Sequence, residues 1–277
     1  MKNKILAALA IALLLFTSQT GLAQEKSAAA TELKELMTKV SAKMKESPPT
    51  ENDLADELKE FDTLLARHKG EKTDDVAQIL FMKAQLYLQV FDNFEKGTEL
   101  INQLKRDFPE TKQGKSADKV LESIAKQAAA KKIRDSLAVG TVFPDFDEKD
   151  LAGKPLSIAN YKGKVVLIDF WATWCGPCVG ELPNVLKAYE KHHPNGFEII
   201  GISLDKDKAK LESFTKEKNM PWQQFFDGLF WNNKLSTKYG VNSIPATYLL
   251  DGEGKIIGKN LRGEALEAAV AKALGKS

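Results

Sequence analysis

The sequence predicts an α/β domain preceded by an all-α domain, and three observations carry that prediction. Up to about Asp135 the chain is rich in Ala, Lys, Glu, Leu and Gln and repeats apolar residues at three- and four-residue spacing, the period of an amphipathic helix. Between Ala138 and Asp150 this periodicity stops and Gly140 and Pro144 appear, with Gly153 just beyond, which marks a domain boundary. After it, short apolar β-rich runs alternate with helical stretches, the pattern of an α/β layer with a largely buried sheet. With 277 residues, 43% of them apolar, the chain has room for two ordinary domains, expected at 24–136 and 137–277.

Residues 1–23 read as a secretory leader. Lys2 and Lys4 give a positive start, Ile5 to Phe16 an apolar run, and Gly21-Leu22-Ala23 a small-x-small cleavage site. About a dozen apolar residues fall short of the roughly 20 that a spanning helix needs, so cleavage near Gln24 is expected rather than anchoring, and no other stretch is apolar enough to span. A periplasmic or otherwise extracytoplasmic protein without stable membrane insertion follows.

Five helices are expected next, at Ala28 to Glu46, Glu51 to His68, Thr73 to Val90, Asn93 to Asp107 and Lys115 to Lys132. Pro48-Pro49, Gly70 and Phe108-Pro109 break the pattern between them. The stretch from Asp74 to Ala125 resembles a tetratricopeptide-type helix pair, with Ala84 and Tyr87 in the first helix and Phe91-Asp92-Asn93-Phe94-Glu95-Lys96-Gly97 at the turn. It covers about one unit and a half, whereas such units stack in threes or more, so an irregular helical bundle is the alternative. Either way the region offers helical surface and no catalytic constellation.

In the second domain Val165 to Trp171, Phe197 to Leu204 and Ala246 to Leu250 read as strands. Gly176 to His192, Lys206 to Asn219 and Glu264 to Leu274 read as helices. Asp251-Gly252-Glu253-Gly254 joins Thr247 to Leu250 and Lys255 to Ile257 in a final hairpin. The 40 basic and 38 acidic residues nearly cancel to +2, so no large electrostatic footprint for nucleic acid is expected.

The chemistry concentrates in Cys175-Gly176-Pro177-Cys178, which holds both cysteines of the chain. A pair this close closes a tiny loop and stabilises little, so reactivity explains it better than structure. A metal site would need further cysteines that the chain lacks. The segment follows the apolar strand Val165 to Trp171 and opens a helix. Unpaired backbone N–H groups and the helix dipole there favour a negative sulfur at Cys175, and thiolate is the species that attacks disulfides. Cys178 lies one turn further in, able to turn back on a mixed disulfide. Pro177 costs the helix little, because its missing donor would be unpaired in any case.

With Trp174 before the dithiol and Gly240-Val241-Asn242-Ser243-Ile244-Pro245-Ala246-Thr247 some seventy residues after it, residues 139–273 resemble the thioredoxins, specifically the extracytoplasmic TlpA/ResA-type reductases. The resemblance implies a thioredoxin fold, a mixed central sheet flanked by helices, with no cofactor and no metal. It implies that Pro245 is a cis-proline facing the dithiol, leaving the backbone beside Ile244 free to pair with an extended substrate. Trp174, Gly176 and Pro177 are expected to meet that substrate. Asp169 matches the family's buried acid. Glu181, in Cys178-Val179-Gly180-Glu181-Leu182-Pro183, matches the acid of the ResA-type pattern. Carrying both departs from either pattern, and a carboxylate near a thiol in apolar surroundings can serve as general base; which of the two serves stays open. An alternative for Glu181 is a solvated first-turn residue complementing the helix dipole.

Trp171 and Phe170 are expected in the core. Phe225, Phe226, Phe230 and Trp231 could line a groove, although core and loop packing is the favoured reading. His192-His193 suits a helix end better than a metal site. The activity implied is protein thiol-disulfide exchange: reduction of oxidised exported proteins, as in cytochrome c maturation, with a membrane donor of the DsbD/CcdA type returning electrons. Alternatives are a disulfide oxidase or isomerase, and a helical partner-binding module with incidental thiols. A thiol peroxidase is a further one, whose expected P-x-x-x-T-x-x-C context is missing.

Overall fold

The computed structural model describes residues 27–45 and 48–275; the expected leader at residues 1–23 lies outside them. Five helices come first: α1 Ala28–Lys43, α2 Ala55–Arg67, α3 Asp74–Gln89, α4 Phe94–Asp107 and α5 Lys112–Ser136. Three of them, α1, α3 and α4, start at a side-chain cap. Ser27, Thr73 and Asn93 accept from the backbone N–H three residues on, satisfying a donor that the first turn leaves unpaired. The second helix starts four residues later than expected, since Asp53 accepts from the amide and hydroxyl of Thr50 at 2.8 and 2.7 Å and so closes a turn ahead of it.

Leu33, Leu36, Phe61, Ile79, Leu80, Leu86, Ile101 and Leu104 form the core of the helical unit, all fully or almost fully buried. α3 and α4 approach so closely that a Cβ on Gly97 would stand 2.3 Å from a methyl carbon of Leu88. Only glycine fits there. Between α1 and α2, the carboxylates of Glu32 and Glu71 each accept from a ring nitrogen of buried His68 at 2.9 Å, while Arg67 holds the other oxygen of Glu32. Those two carboxylates raise the imidazole's pKa. Its stabilisation is therefore complete below the unfolded value of about 6.5 and lost as pH rises through the folded value. His68→Ala is expected to cost about 1–3 kcal/mol at pH 5.5 and clearly less at pH 9. Urea unfolding of the helical unit at the two pH values tests this, and an equal loss at both refutes it.

The described residues divide into two compact units, one up to Ala128 and one from Ala129. The division falls inside α5, ahead of the expected 136/137, because the end of that helix packs with the second unit. Ile133 lies against the second core, and Arg134 donates to the carbonyl of Gly240 at 2.7 Å.

The second unit contains β1 Glu148–Lys149, β2 Pro155–Leu156, β3 Val165–Trp171, α6 Gly176–His192, β4 Phe197–Ser203, α7 Lys208–Glu217, β5 Gln223–Phe226, α8 Lys234–Lys238, β6 Ala246–Leu250, β7 Ile256–Lys259 and α9 Glu264–Ala273. Its main sheet has the order β5-β4-β3-β6-β7, and β1 and β2 form a small hairpin. β4 and β5 run parallel to β3, whereas β6 pairs with it antiparallel. This is the mixed thioredoxin-type sheet, with β3 at its centre. The run Val165-Val166-Leu167-Ile168 is buried throughout, as a central strand covered on both faces requires.

The strand at Gln223–Phe226 was not anticipated. It is four residues long and shows no alternation, so its pattern is indistinguishable from packed loop. In the structure Phe225 is buried and Phe226 partly so, and both pair in register with β4.

Candidate active site

β3 ends at Trp171, and four residues later Cys175 caps α6. The intervening loop is fixed from one side. Buried Asp205 accepts from the amide and hydroxyl of Thr173 at 3.0 and 2.6 Å and from the hydroxyl of Ser203 at 2.9 Å. A carboxylate tying the loop to the end of β4 holds the cap in one conformation.

Cys175 and Cys178 are joined in a disulfide. The Sγ of Cys175 accepts from the backbone N–H of Cys178 at 3.3 Å, and its carbonyl accepts from Val179 at 3.0 Å. The sulfur that caps the helix thus receives one of the donors that would stabilise it as an anion once reduced. Both cysteines are largely buried, while Gly176 and Pro177 are exposed and Trp174 is 41% exposed. The protein surface at the dithiol is therefore made by Trp174, Gly176 and Pro177.

The peptide bond between Ile244 and Pro245 is cis. Pro245 lines a narrow cavity together with Cys178, Asp169, Glu181, Thr247 and Arg262; its volume is about 10 Å³, room for about one water. Asp169 occupies the middle of β3, opposite Gly201 and Thr247 in the neighbouring strands. Burial pushes its carboxyl up to about 7; the guanidinium of Arg262 opposes that rise and the charge of Glu181 adds to it. Among carboxyl groups such a value is unusual, and it fits a group that exchanges protons near neutrality.

Glu181 is half-buried, and both of its carboxylate oxygens are engaged. One carboxylate oxygen accepts from the backbone N–H of Gly263 at 2.6 Å, the other from Asn184 at 3.2 Å. The structure therefore brings both acids to one cavity behind the inner cysteine. It also adds residues that sequence reasoning missed. Arg262 donates to Thr247 Oγ1 at 2.9 Å and to the carbonyl of Leu261 at 2.6 Å, and Gly263, at φ +54, turns its N–H toward Glu181 while opening α9. No local signal marks them, since nothing in the neighbourhood of Arg262 in the chain points to the dithiol. Thr247 closes the Gly240–Thr247 motif in the sequence, but nothing in that motif assigns it a place in the cavity.

Trp171 and Phe170 are buried as expected, and the indole of Trp171 donates to Gln224 at 3.0 Å. Phe225 packs in the core. Phe230 and Trp231 do not: their rings lie 5.1 and 5.9 Å from that of Trp174. His192 ends α6, and no group of His, Cys, Asp or Glu among the described residues could hold a metal ion. No described helix is long and apolar enough to cross a membrane.

Comparison with known proteins gives a consistent picture for this half of the chain. The model of the AhpC/TSA family matches residues 139–259. Thiol-disulfide oxidoreductase ResA of Bacillus thuringiensis subsp. konkukian (strain 97-27) is 30% identical over 142 residues, which cover 51% of this chain and 80% of that protein. ResA of Bacillus subtilis (strain 168) is 29% identical over 124 residues, 45% of this chain and 68% of its own. Among solved structures, the thioredoxin domain of a thiol-disulfide oxidoreductase from Bacteroides vulgatus is 35% identical, covers 50% of this chain and 99% of that one, and superposes with a TM-score of 0.46.

Proposed function

The chain belongs to the ResA family of thiol-disulfide oxidoreductases, and from that premise we propose that it works outside the cytoplasm as a reductase of disulfides in exported proteins. The observation that carries the reading is a bonded Cys175–Cys178 pair at the start of α6, backed by a cavity that Asp169, Glu181 and Pro245 share with Cys178.

In the reduced protein the Cys175 thiolate attacks one sulfur of a substrate cystine. A mixed disulfide forms with Cys175 and the other substrate sulfur leaves as a thiolate. Cys178 then loses its proton toward the carboxyl groups behind it and attacks Cys175 Sγ, expelling the second substrate thiolate. Two electrons pass from the dithiol to the substrate, whose sulfurs end as thiols, and the protein ends with the bond between Cys175 and Cys178. Backbone beside Ile244 is available to an extended substrate by strand-like pairing. A membrane dithiol of the DsbD/CcdA type would return the electron pair, and cytochrome c maturation is the setting that the resemblance suggests.

The test is Cys178→Ala in the full chain. Without the second thiol the mixed disulfide on Cys175 is expected to accumulate, and mass spectrometry of the trapped partner identifies the substrate class. Cytoplasmic partners alone would overturn the extracytoplasmic placement, and a dithiol potential well above the region of about −270 mV would turn the reading toward an oxidase or isomerase.

A further inference from the structure

Of the five large apolar side chains that are exposed among the described residues, Trp174 at 41% adjoins the dithiol, Trp231 at 38% has its ring 5.9 Å from that of Trp174, and Leu229 at 49% lies two residues before Trp231 in the same turn. Trp174 immediately precedes Cys175. The other two belong to the turn Gly228–Asn232 between β5 and α8, whose Phe230 and Trp231 rings pack on the Trp174 ring and on each other at 5.1 to 5.9 Å. The ammonium of Lys206 stands 4.6 Å from the centre of the Phe230 ring. Isolated exposed apolar residues are ordinary, but a contiguous patch marks an interaction site.

Polar groups hold this turn in place. Asp227 accepts from the amides of Leu229 and Lys234 at 3.0 and 2.8 Å and from the Asn233 side chain at 3.1 Å. Asn233, itself fully buried, donates to the carbonyl of Ser203 at 3.3 Å and accepts from the amides of Leu235 and Ser236. Through Ser203 and Asp205 the same network reaches Thr173 in the loop that leads to Cys175. Within it Phe230 is held at φ +56, a conformation that bulky side chains rarely adopt. A chain that only had to bury these rings would turn them inward. Here a strained, hydrogen-bonded turn leaves Trp231 exposed and Phe230 half-buried, both against the Trp174 ring that precedes Cys175.

We propose that the turn carrying Leu229, Phe230 and Trp231 forms, with Trp174, an apolar shelf that selects substrates by an aliphatic or aromatic side chain next to their cystine. The occupant is an extended segment of an oxidised protein, and the proposal rests on the oxidoreductase reading above. Its argument is continuity: the shelf joins the dithiol surface through Trp174, so a substrate sulfur bonded to Cys175 brings its own neighbouring residues over the rings. A preference for apolar neighbours suits a protein that meets incompletely folded chains, whose core residues are still exposed.

The experiment uses the reduced full chain and two peptides identical except at the residues flanking a single cysteine, Leu-Cys-Leu in one and Ser-Cys-Ser in the other. Each carries its cysteine as a disulfide with thionitrobenzoate, whose release reports the attack. The Leu peptide is expected to react, in a single turnover of the dithiol, with a second-order rate constant about tenfold or more above that of the Ser peptide. In Trp231→Ala, and separately in Leu229→Ser, that ratio is expected to fall to within about twofold of one. Because thiols of unfolded chains would release thionitrobenzoate from both peptides alike and pull the ratio toward one, each variant is compared only after its thermal unfolding transition is shown to lie above the assay temperature. A wild-type ratio near one overturns the shelf, as does a high ratio that both variants retain. A dimer in sedimentation that Trp231→Ala dissociates would make a second copy of the chain the occupant and would overturn it equally. Reduction of dithiobis-nitrobenzoate by the wild-type protein checks the oxidoreductase reading alone: absence of that reaction removes the reading, whereas its presence without Leu preference removes only the shelf.

Discussion

Serine in place of Cys175 is expected to lower the rate of disulfide reduction on the order of 10³-fold or more, as loss of a nucleophile does where no other group can replace it. The loss should be chemical rather than structural. Cys175 is the cap residue of α6 and its side chain already accepts the Cys178 N–H; serine is among the preferred residues at such a cap. Compared in the reduced state, the variant should therefore melt within a few degrees of the wild type, or above it. Alkylation with iodoacetamide across pH 5 to 9 provides the complementary measurement on the reduced wild type. Cys175 should react with a midpoint below the ordinary thiol value of about 8.5, because the first-turn donors of α6 stabilise its anion. Retained turnover in Cys175→Ser, or a Cys175 that alkylates like a free thiol, would sink the assignment of the attacking sulfur.

Much of the catalytic half could be read from local pattern. Val165–Trp171 and Ala246–Leu250 are strands at the anticipated residues, and Gly176–His192 is a helix over the anticipated span. Each has a strong local cause. The buried central strand is an unbroken apolar run, and the helix has Pro177 in its first turn and a cationic end. Elements whose cause lies elsewhere in the chain escaped. Gln223–Phe226 becomes a strand because the edge of β4 is there to pair with, a reason that its own four residues do not contain. The last turns of α5 join the second unit because Gly240 and the core around Ile133 receive them.

The same distinction holds within the site. Cys175, Cys178, Asp169 and Glu181 fall within a dozen or so residues of one strand–turn–helix, so their proximity is visible in the chain. Arg262 reaches the cavity, and the Gly263 amide reaches Glu181, only because β7 and the start of α9 return to it. Composition and period carry no record of such a return. The aromatic turn is an intermediate case. Its density of rings is plain in the sequence, but only the structure separates buried Phe225 from exposed Trp231.

Asparagine in place of Asp169 is expected to stabilise the oxidised protein at pH 8, and the gain should vanish by about pH 4. An Asp in the unfolded chain loses its proton near 3.8, whereas burial keeps that of Asp169 until about 7 in the folded protein. Between those values the native state binds the additional proton, so stability falls as pH rises through the window. At pH 8 the penalty amounts to as much as about 4 kcal/mol. Asp169 as a whole residue is only half-buried, so about 2–3 kcal/mol is the gain to expect in urea unfolding. An equal effect of Asp169→Asn at pH 4.5 and pH 8 would refute the raised pKa. The destabilised carboxylate has a chemical counterpart. A group that accepts a proton near pH 7 beside Cys178 can take up the one that the inner thiol must lose before it attacks the mixed disulfide. In Asp169→Asn, resolution of a mixed disulfide preformed on Cys175 should slow about 10-fold or more at pH 7, while the first attack by Cys175 changes less. Glu181→Gln distinguishes the roles of the two acids. The Glu181 carboxylate is held by the Gly263 amide and Asn184, and its charge helps to keep Asp169 protonated. Removing that charge should shift the pH profile of resolution to lower pH without abolishing the step; loss of the step in Glu181→Gln, with Asp169→Asn unaffected, would reverse the assignment.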